Sequence, residues 1–204
     1  PVGTIASKLF RARKRLYVAD SHLHRILVYS TDGELLKSWG GRGVDPGQFN
    51  FPTNLTVATD GSLYVVDTGN FRVQVFGPKG SFQHEFGRAG DAYGSFHRPK
   101  GIALDGEENV YVVDAAFNNF QIFDDGGRLQ LFVGSLGSGS GHFWLPAGIH
   151  IDGSDRIYVV DQVNQRVQVF QYLPSRSAAP VSSSTWPPPR RQSSGSSTTR
   201  TRGR

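Results

Sequence analysis

Short runs of strand-forming residues recur along this chain of 204 residues, separated by turns rich in Gly, Asp and Pro. Four of the runs align with one another, at residues 16–30, 63–77, 110–124 and 157–171. Their starts at 16, 63, 110 and 157 give a period of 47 residues without insertion or deletion. A strict period of roughly 40–50 residues, with turns between short β-rich runs, is typical of β-propeller blades. The pattern therefore predicts an all-β protein built from four-stranded antiparallel blades.

Each 47-residue unit divides into four strands, a to d. In the second unit the pattern predicts strand a at 53–58, strand b at Leu63–Asp67, strand c at Arg72–Phe76 and strand d at 81–86. The b strands are almost entirely apolar and do not alternate, so both of their faces should be buried. We interpret residues 1–6 as a degraded strand a of the first unit.

The repeated residues resemble the NHL repeat family. The shared pattern is P-x-x-[IL], an Asp-Gly turn and then Y-V-V-D-x-x-N-x-R-[VI]-Q-V-F, and it covers roughly residues 16–171. The third unit departs from it at Asn119, where the other units have an arginine. The resemblance implies a propeller that usually has six blades, so four units predict a partial six-bladed propeller. An open stack of this kind would expose apolar blade faces and favour self-association.

A tyrosine in strand b and an aspartate at its end recur in every unit. The tyrosines should fill the space between blades, and each aspartate should accept hydrogen bonds from the b–c turn and meet an arginine. A ligand or a reaction rarely requires the same residue on every blade, so we interpret this set as structural. Its members are Tyr17, Asp20, Arg25, Tyr64, Asp67, Arg72, Tyr111, Asp114, Tyr158, Asp161 and Arg166.

Function is expected where the units differ. The connections from strand d to the next strand a, at 40–51, 87–98 and 134–145, are long, glycine-rich and divergent. They should lie with the b–c turns at one end of the propeller, and loops on a rigid scaffold commonly carry binding. Trp144, beside His142, is the best candidate in these loops for an anchor that contacts a partner, although packing of its ring against the neighbouring blade is the favoured interpretation. The candidate binding residues are Arg42, Asp45, Arg88, Asp91, Tyr93, His97, His142 and Trp144.

Charge is distributed unevenly along the chain. The formal net charge is +5, but residues 16–173 hold 11 basic residues against all 17 acidic ones and carry a net charge of −6. Residues 174–204 are rich in Ser, Pro and Arg and are expected to form a disordered tail, so the propeller domain should span 1–173. Nucleic-acid binding by the propeller body is disfavoured, because phosphate contacts require a basic surface.

Candidate chemistry is sparse. The chain has no Cys, no Gly-rich phosphate loop and no nucleophile elbow, so no cofactor is expected. His150 aligns with Ala103 and Thr56 on the innermost strand, which makes it a weak candidate for a metal ligand or a base in the channel. The pair His22-x-His24 lies in a turn and could bind a metal adventitiously.

Three functions remain open at this point. The first is a non-catalytic scaffold whose divergent loops bind a protein, a peptide or a polymer. The second is a propeller enzyme, such as a lyase or a metal-dependent lactonase, with a site in the channel. RNA binding is the third. No apolar run approaches the roughly 20 residues that cross a bilayer, so no membrane span is expected.

Overall fold

A computed structural model of the chain describes residues 7–12 and 15–171, which form fifteen strands in four antiparallel sheets. Each sheet is a meander in which consecutive strands pair, so each sheet is one blade. The strands are Ser7–Ala12 (β1), Arg15–Asp20 (β2), Arg25–Ser30 (β3), Leu35–Gly40 (β4), Pro52–Val57 (β5), Leu63–Asp67 (β6), Arg72–Phe76 (β7), Phe82–Phe86 (β8), Pro99–Leu104 (β9), Val110–Asp114 (β10), Asn119–Phe123 (β11), Leu129–Val133 (β12), Pro146–Ile151 (β13), Arg156–Asp161 (β14) and Arg166–Gln171 (β15).

The strands of the second blade confirm the predicted division, since β6 and β7 have the predicted bounds and β5 and β8 differ by one residue at their ends. The prediction for the first strand is wrong. That strand lies at Ser7–Ala12 rather than within residues 1–6. Its last residue, Ala12, pairs with Arg15, the first residue of β2. The connection between β1 and β2 is therefore shorter than the five-residue connection between β5 and β6 in blade 2.

Blade 4 contains three strands among the described residues, with β14 between β13 and β15. The predicted disordered tail lies outside the described residues. Within those residues, no helix is long and apolar enough to span a membrane. A single 3₁₀ turn at Thr68–Asn70 is part of the b–c turn of blade 2.

Three apolar cores lie between the four blades. On β6, Leu63 and Val65 pack towards blade 1, whereas Tyr64 and Val66 pack towards blade 3. All five residues of β6 and of β10 are buried, which confirms that the b strands are covered on both faces. This explains why their sequences do not alternate.

Blade 4 has one uncovered face. Val160, Val167 and Val169 are 44%, 55% and 55% exposed. The equivalent residues of blade 2, Val66 and Val73 among them, are buried against the next blade. The four blades therefore form a partial propeller, as the repeat pattern predicts.

The directions of the strands give the propeller two different ends. The b–c turns and the d–a loops lie at one end, which we call the loop end. The a–b and c–d turns lie at the other end, which we call the turn end. The divergent loops are thus placed together, as expected.

Candidate functional site

A buried aspartate organises each loop of the loop end. Asp67 is fully buried and accepts the Asn50 N–H through Oδ1 at 2.6 Å. Its Oδ2 accepts Asn70 Nδ2 at 2.8 Å, Arg72 Nε at 3.0 Å and Gln74 Nε2 at 3.1 Å. Asn50 belongs to the loop that arrives from blade 1. The carboxylate therefore joins that loop to the b–c turn and to strand c of blade 2.

The glutamine of strand c makes a second set of hydrogen bonds to the same loop. Gln74 accepts the Gly47 N–H at 2.8 Å and donates to the Gln48 carbonyl at 2.7 Å. Gln121 and Gln168 make the equivalent pairs of bonds in blades 3 and 4. A side-chain amide that donates and accepts at once fixes a loop backbone in one register. The loop conformation thus repeats although most of the loop side chains do not.

Each loop is also closed by a glycine and a phenylalanine. Phe49, Phe96 and Phe143 are fully buried. Gly40 has a φ of +114°, and a Cβ added to it would lie 2.8 Å from the Phe49 ring. Gly87 and Gly134 face Phe96 and Phe143 in the same way, also at positive φ. The loops are therefore folded over buried rings and do not extend freely into solvent.

Blade 3 keeps the aspartate and the glutamine of this arrangement but lacks the arginine and its acidic partner on strand d. In blade 2, Arg72 also donates to Glu85 at 2.8 Å and to the carbonyls of Asp45 and Gln48 at 3.2 and 3.1 Å. In blade 3 the corresponding positions of the arginine and the glutamate are Asn119 and Phe132. The Asn119 Oδ1 is buried and has no hydrogen-bond partner among the described residues.

An aromatic stack replaces the missing ion pair. The ring of Tyr93, in the 87–98 loop, lies 4.7 Å from the ring of Phe132 with an interplanar angle of 19°. Phe132 is on β12, the edge strand of blade 3. Tyr93 is therefore turned to the outer rim of the propeller, away from the channel. It is 76% exposed.

Rings gather where neighbouring blades meet at the loop end. The His24 and Phe51 ring centroids are 4.9 Å apart at the junction of blades 1 and 2. The ring of His97 lies 6.5 Å from that of Phe71 and 5.9 Å from that of Phe117. Trp144 is 48% exposed at the junction of blades 3 and 4. We call this set the aromatic row, and its members are His24, Phe51, Phe71, His97, Phe117 and Trp144.

Backbone bonds position the aromatic row. The N–H groups of His97 and Trp144 donate to Asp114 and Asp161 at 2.7 and 2.8 Å. The His24 Nδ1 accepts the Phe51 N–H at 3.0 Å. His24 is thus occupied by a structural bond. Within residues 7–12 and 15–171, no group of three His, Asp or Glu side chains could hold a metal.

The structure separates the predicted binding residues into two groups. His97 and Trp144 lie two residues before the inner strands β9 and β13 and belong to the aromatic row. The others lie further out on the loops, and all of them are exposed: Arg42, Asp45, Arg88, Asp91, Tyr93 and His142. The His142 Nδ1 lies 2.9 Å from Ser135 Oγ, and its carbonyl accepts Arg166 and Gln168.

Sequence reasoning missed four members of the aromatic row, His24, Phe51, Phe71 and Phe117. They occupy three positions in the repeat: His24 and Phe71 share one at the end of the b–c turn, Phe117 lies one position earlier, and Phe51 lies just before strand a. A comparison of the units at these positions alone would have found them, because the units agree in their backbone role there and differ in side chain.

The two ends of the propeller differ in charge. The a–b and c–d turns carry ten of the 17 acidic residues. These are Asp32, Glu34, Asp60, Asp105, Glu107, Glu108, Asp124, Asp125, Asp152 and Asp155. At the loop end the recurring aspartates are buried, and Arg42, Arg88 and Arg98 make no salt bridge with any described residue. The negative charge of the body is therefore concentrated at the turn end.

Two groups at the loop end have shifted pKa values. Burial raises the pKa of Asp161, but hydrogen bonds from the Trp144 N–H, Asn164 and Arg166 outweigh it and lower the pKa below its ordinary value. The pKa of Lys100 is lowered by burial and by the neighbouring positive charge of Arg98. The ionised Asp161 is therefore the form that holds the Trp144 loop.

The inner strands β5, β9 and β13 line a channel cavity of about 370 Å³. His150 borders it and is exposed, with its ring 6.1 Å from that of Tyr158. Ala103 and Thr56 occupy the same place on the other two strands and are buried. His150 thus lies on the uncovered side of blade 4.

Two segments of the chain match protein families. Residues 49–76 match the NHL repeat, and residues 107–173 match a family described as a 6-bladed beta-propeller. No curated protein sequence matches the chain.

Similar solved structures are propellers of greater length. A streptogramin B lyase is 14% identical, with a TM-score of 0.61 over 85% of this chain and 56% of its own. A virginiamycin B lyase from Staphylococcus aureus is 14% identical, with a TM-score of 0.57 over 82% of this chain and 55% of its own. BamB from Moraxella catarrhalis is 15% identical, with a TM-score of 0.57 over 82% and 43%. The chain thus spans little more than half of each lyase, and the similarity shows the fold alone.

Proposed function

Since the chain is a β-propeller with NHL repeats, we propose that it is a non-catalytic binding scaffold whose loop end takes up a protein or a peptide. The observation that carries this proposal is the aromatic row. Its exposed and half-buried rings follow three successive blade junctions, on a backbone fixed by repeated hydrogen bonds. Aromatic residues are enriched at protein interfaces because they bury much area with little loss of conformational freedom.

The fixed backbone supports binding in a second way. The Asp67 and Gln74 bonds, and their equivalents, hold each loop before any ligand arrives. A preordered surface loses less conformational entropy on association than a mobile one. Side chains that vary on a constant frame are also the arrangement that gives a repeat protein its specificity.

The dimensions and charge of the row favour an extended ligand. It runs across the junctions of blades 1 and 2, 2 and 3, and 3 and 4, so one peptide could contact several junctions at once. Arg98 lies beside the row, whereas on the adjoining loops the exposed Arg42 and Arg88 are accompanied by the exposed Asp45 and Asp91. A peptide with apolar side chains and an acidic residue opposite Arg98 matches this surface.

The test uses a library of 12-residue peptides displayed on phage, selected on the immobilised full chain. The selected peptides are then measured against His97→Ala and Trp144→Ser, and against Leu35→Ser as a matched control. Leu35 is 56% exposed on β4 and lies far from the row. We expect the two row variants to weaken binding about tenfold or more and the control to leave it unchanged. Equal binding to all variants would refute the proposal.

An enzymatic function remains the second candidate, because His150 is exposed to the channel cavity. A channel enzyme of this kind would use a metal held by His150 and by further groups. Elemental analysis of the purified chain, with thermal melts in Ca²⁺, Zn²⁺ and EDTA, tests this alternative. A stoichiometric metal, with a melting shift that His150→Ala removes, would favour the enzyme over the scaffold.

A further inference from the structure

A second cavity lies at the turn end, between blades 1 and 2. Its volume is about 340 Å³, which is within the range of roughly 300–1,000 Å³ found for small-molecule sites. Apolar and aromatic side chains form its walls, and the c–d turn of blade 2 forms one edge. The wall residues include Tyr17, Val28, Leu36, Trp39 and Leu63.

Three cations surround this cavity. Arg15, Lys37 and Lys79 line it, and none of the described lining residues is acidic. Lys37 Nζ lies 5.6 Å from the centroid of the Trp39 ring and donates to the Lys79 carbonyl. An ammonium group has three donors, so Lys37 retains capacity for an anion.

These cations stand out against the charge around them, since the turn end carries ten acidic residues. The other turn-end arginines with described side chains are engaged, since Arg128 pairs with Asp124 and Arg156 with Asp152, each at 2.9 Å. Arg15, Lys37 and Lys79 make no salt bridge with any described residue. Among the turn-end residues whose side chains the structure describes, the cations that lack an acidic partner thus converge on one cavity.

The repeat itself does not account for the cavity. At the junction of blades 2 and 3, the positions of the three cations hold Ser62, His84 and Gly126. There the Phe86 ring, which replaces Trp39, lies 4.9 Å from that of Phe123 and against Gly127. At the first junction the equivalent glycine, Gly80, leaves more room, since a Cβ added to it would lie 3.5 Å from Trp39.

Trp39 has one further property. Its indole N–H is buried and has no hydrogen-bond partner within the described part of the chain. Native structures seldom leave a buried donor without a partner, so this N–H is available to an acceptor on a ligand.

From the apolar walls and the unpaired cations we propose that this cavity binds an organic anion, namely a carboxylate or phosphate carried by an apolar, ring-containing body. The rings of Tyr17 and Trp39 contact the body of the ligand, and Arg15, Lys37 and Lys79 pair with its charged group. The site lies at the opposite end from the aromatic row and does not depend on the function proposed there.

The experiment titrates the full chain with 2-naphthoate, 2-naphthyl phosphate and the uncharged 2-naphthamide. Binding is followed by calorimetry and by the indole N–H signals of the tryptophans in ¹H–¹⁵N spectra, with Trp39 assigned through Trp39→Phe. We expect at least one of the two anions to shift the Trp39 signal saturably without moving that of Trp144. The amide should bind about tenfold more weakly or worse.

Two double variants separate the cavity from general electrostatics. Lys37→Gln with Lys79→Gln should weaken the binding of the anion about tenfold or more. Arg128→Gln with Arg156→Gln removes the same charge from the same end and should change affinity less than about twofold. The proposal is overturned if neither anion binds, if the amide binds as tightly, if both double variants have equal effects, or if the Trp39 signal does not respond.

Discussion

The rings of Tyr93 and Phe132 stack with their centroids 4.7 Å apart. Blade 2 has no such contact at the equivalent position, and there the Arg72–Glu85 ion pair is present instead. The 87–98 loop is thus the one whose anchoring differs in kind from its neighbours. Asn119 cannot reach as far as an arginine and leaves its Oδ1 without a partner among the described residues. The stack compensates by holding the loop from the outside.

Removing the stack should loosen this loop specifically. We expect Tyr93→Ala to lower the free energy of unfolding by about 1 kcal/mol and to speed amide hydrogen exchange within 87–98. Leu136→Ala is the control, since Leu136 is 64% exposed in the equivalent 134–145 loop. It should change stability by less than about 0.5 kcal/mol. The same exchange pattern in both variants would show that the stack has no structural role.

The carboxylate of Asp67 should matter far more than that of Glu85, although both pair with Arg72. Asp67→Ala removes the acceptor of the Asn50 N–H and the buried carboxylate that pairs with the buried Arg72. We expect a loss of about 3–5 kcal/mol in urea unfolding. Glu85→Ala removes a partner whose side chain is 39% exposed and should cost less than about 1 kcal/mol. Comparable losses would contradict the central place of Asp67.

The tight packing of Gly40 on Phe49 predicts a difference between two glycines of one loop. Gly40→Ala combines left-handed strain with overlap on a buried ring, and we expect it to destabilise the chain by about 2–4 kcal/mol. Gly47 has a φ of +83° and nothing within 4 Å of an added Cβ. Gly47→Ala should therefore cost only about 1–2 kcal/mol. Thermal melts of both variants measure these losses. A larger loss of stability in Gly47→Ala than in Gly40→Ala would contradict the packing of Gly40 on Phe49.

The low pKa of Asp152, in the a–b turn of blade 4, predicts that the stability of the fold depends on pH. The largest cause of the low pKa of Asp152 is the hydrogen bond from the Ser154 N–H, and burial raises the pKa in opposition to it. Further hydrogen bonds from the Arg156 N–H, the Tyr158 hydroxyl and the Arg156 side chain lower the pKa to about 2. Because this folded-state pKa is below the unfolded value of about 3.9, the ionised form stabilises the fold. That stabilisation is complete above the unfolded pKa and is lost as the pH falls towards 2.

Tyr158→Phe removes the 3.0 Å hydrogen bond to Asp152 and should raise the pKa of that carboxyl. Carboxyl ¹³C titration from about pH 6 downwards measures it. Tyr64→Phe is the control, because the position equivalent to Asp152 in blade 2 is Ala58. An unchanged pKa in Tyr158→Phe would show that the Tyr158 hydroxyl does not contribute to the shift.

The strands and the blade interfaces could be predicted from the sequence because each depends on local signals that repeat. The apolar b strands recur in phase, an Asp-Gly turn precedes each of them in blades 2 to 4, and β6 and β7 lie where the pattern predicts them. The first strand was misplaced because its hairpin lacks the Asp-Gly turn. Because the first unit lacks this turn, its sequence carries no local signal for the position of its first strand.

The candidate site was only partly predictable, for a different reason. Asp67 was assigned to its turn and to Arg72, but not to Asn50, because the incoming loop comes from another blade. The stack of Tyr93 on Phe132 joins a loop to an outer strand, and neither residue is repeated. Contacts that depend on two unrepeated residues, distant in sequence, leave no periodic signal.

Hydrogen exchange of the full chain, with and without a selected peptide, measures whether the aromatic row binds a macromolecular ligand. We expect protection of the segments around His97 and Trp144, with no change in the turn-end segments 58–62 and 105–109. Protection confined to the turn end or to the uncovered face around Val167 would contradict it.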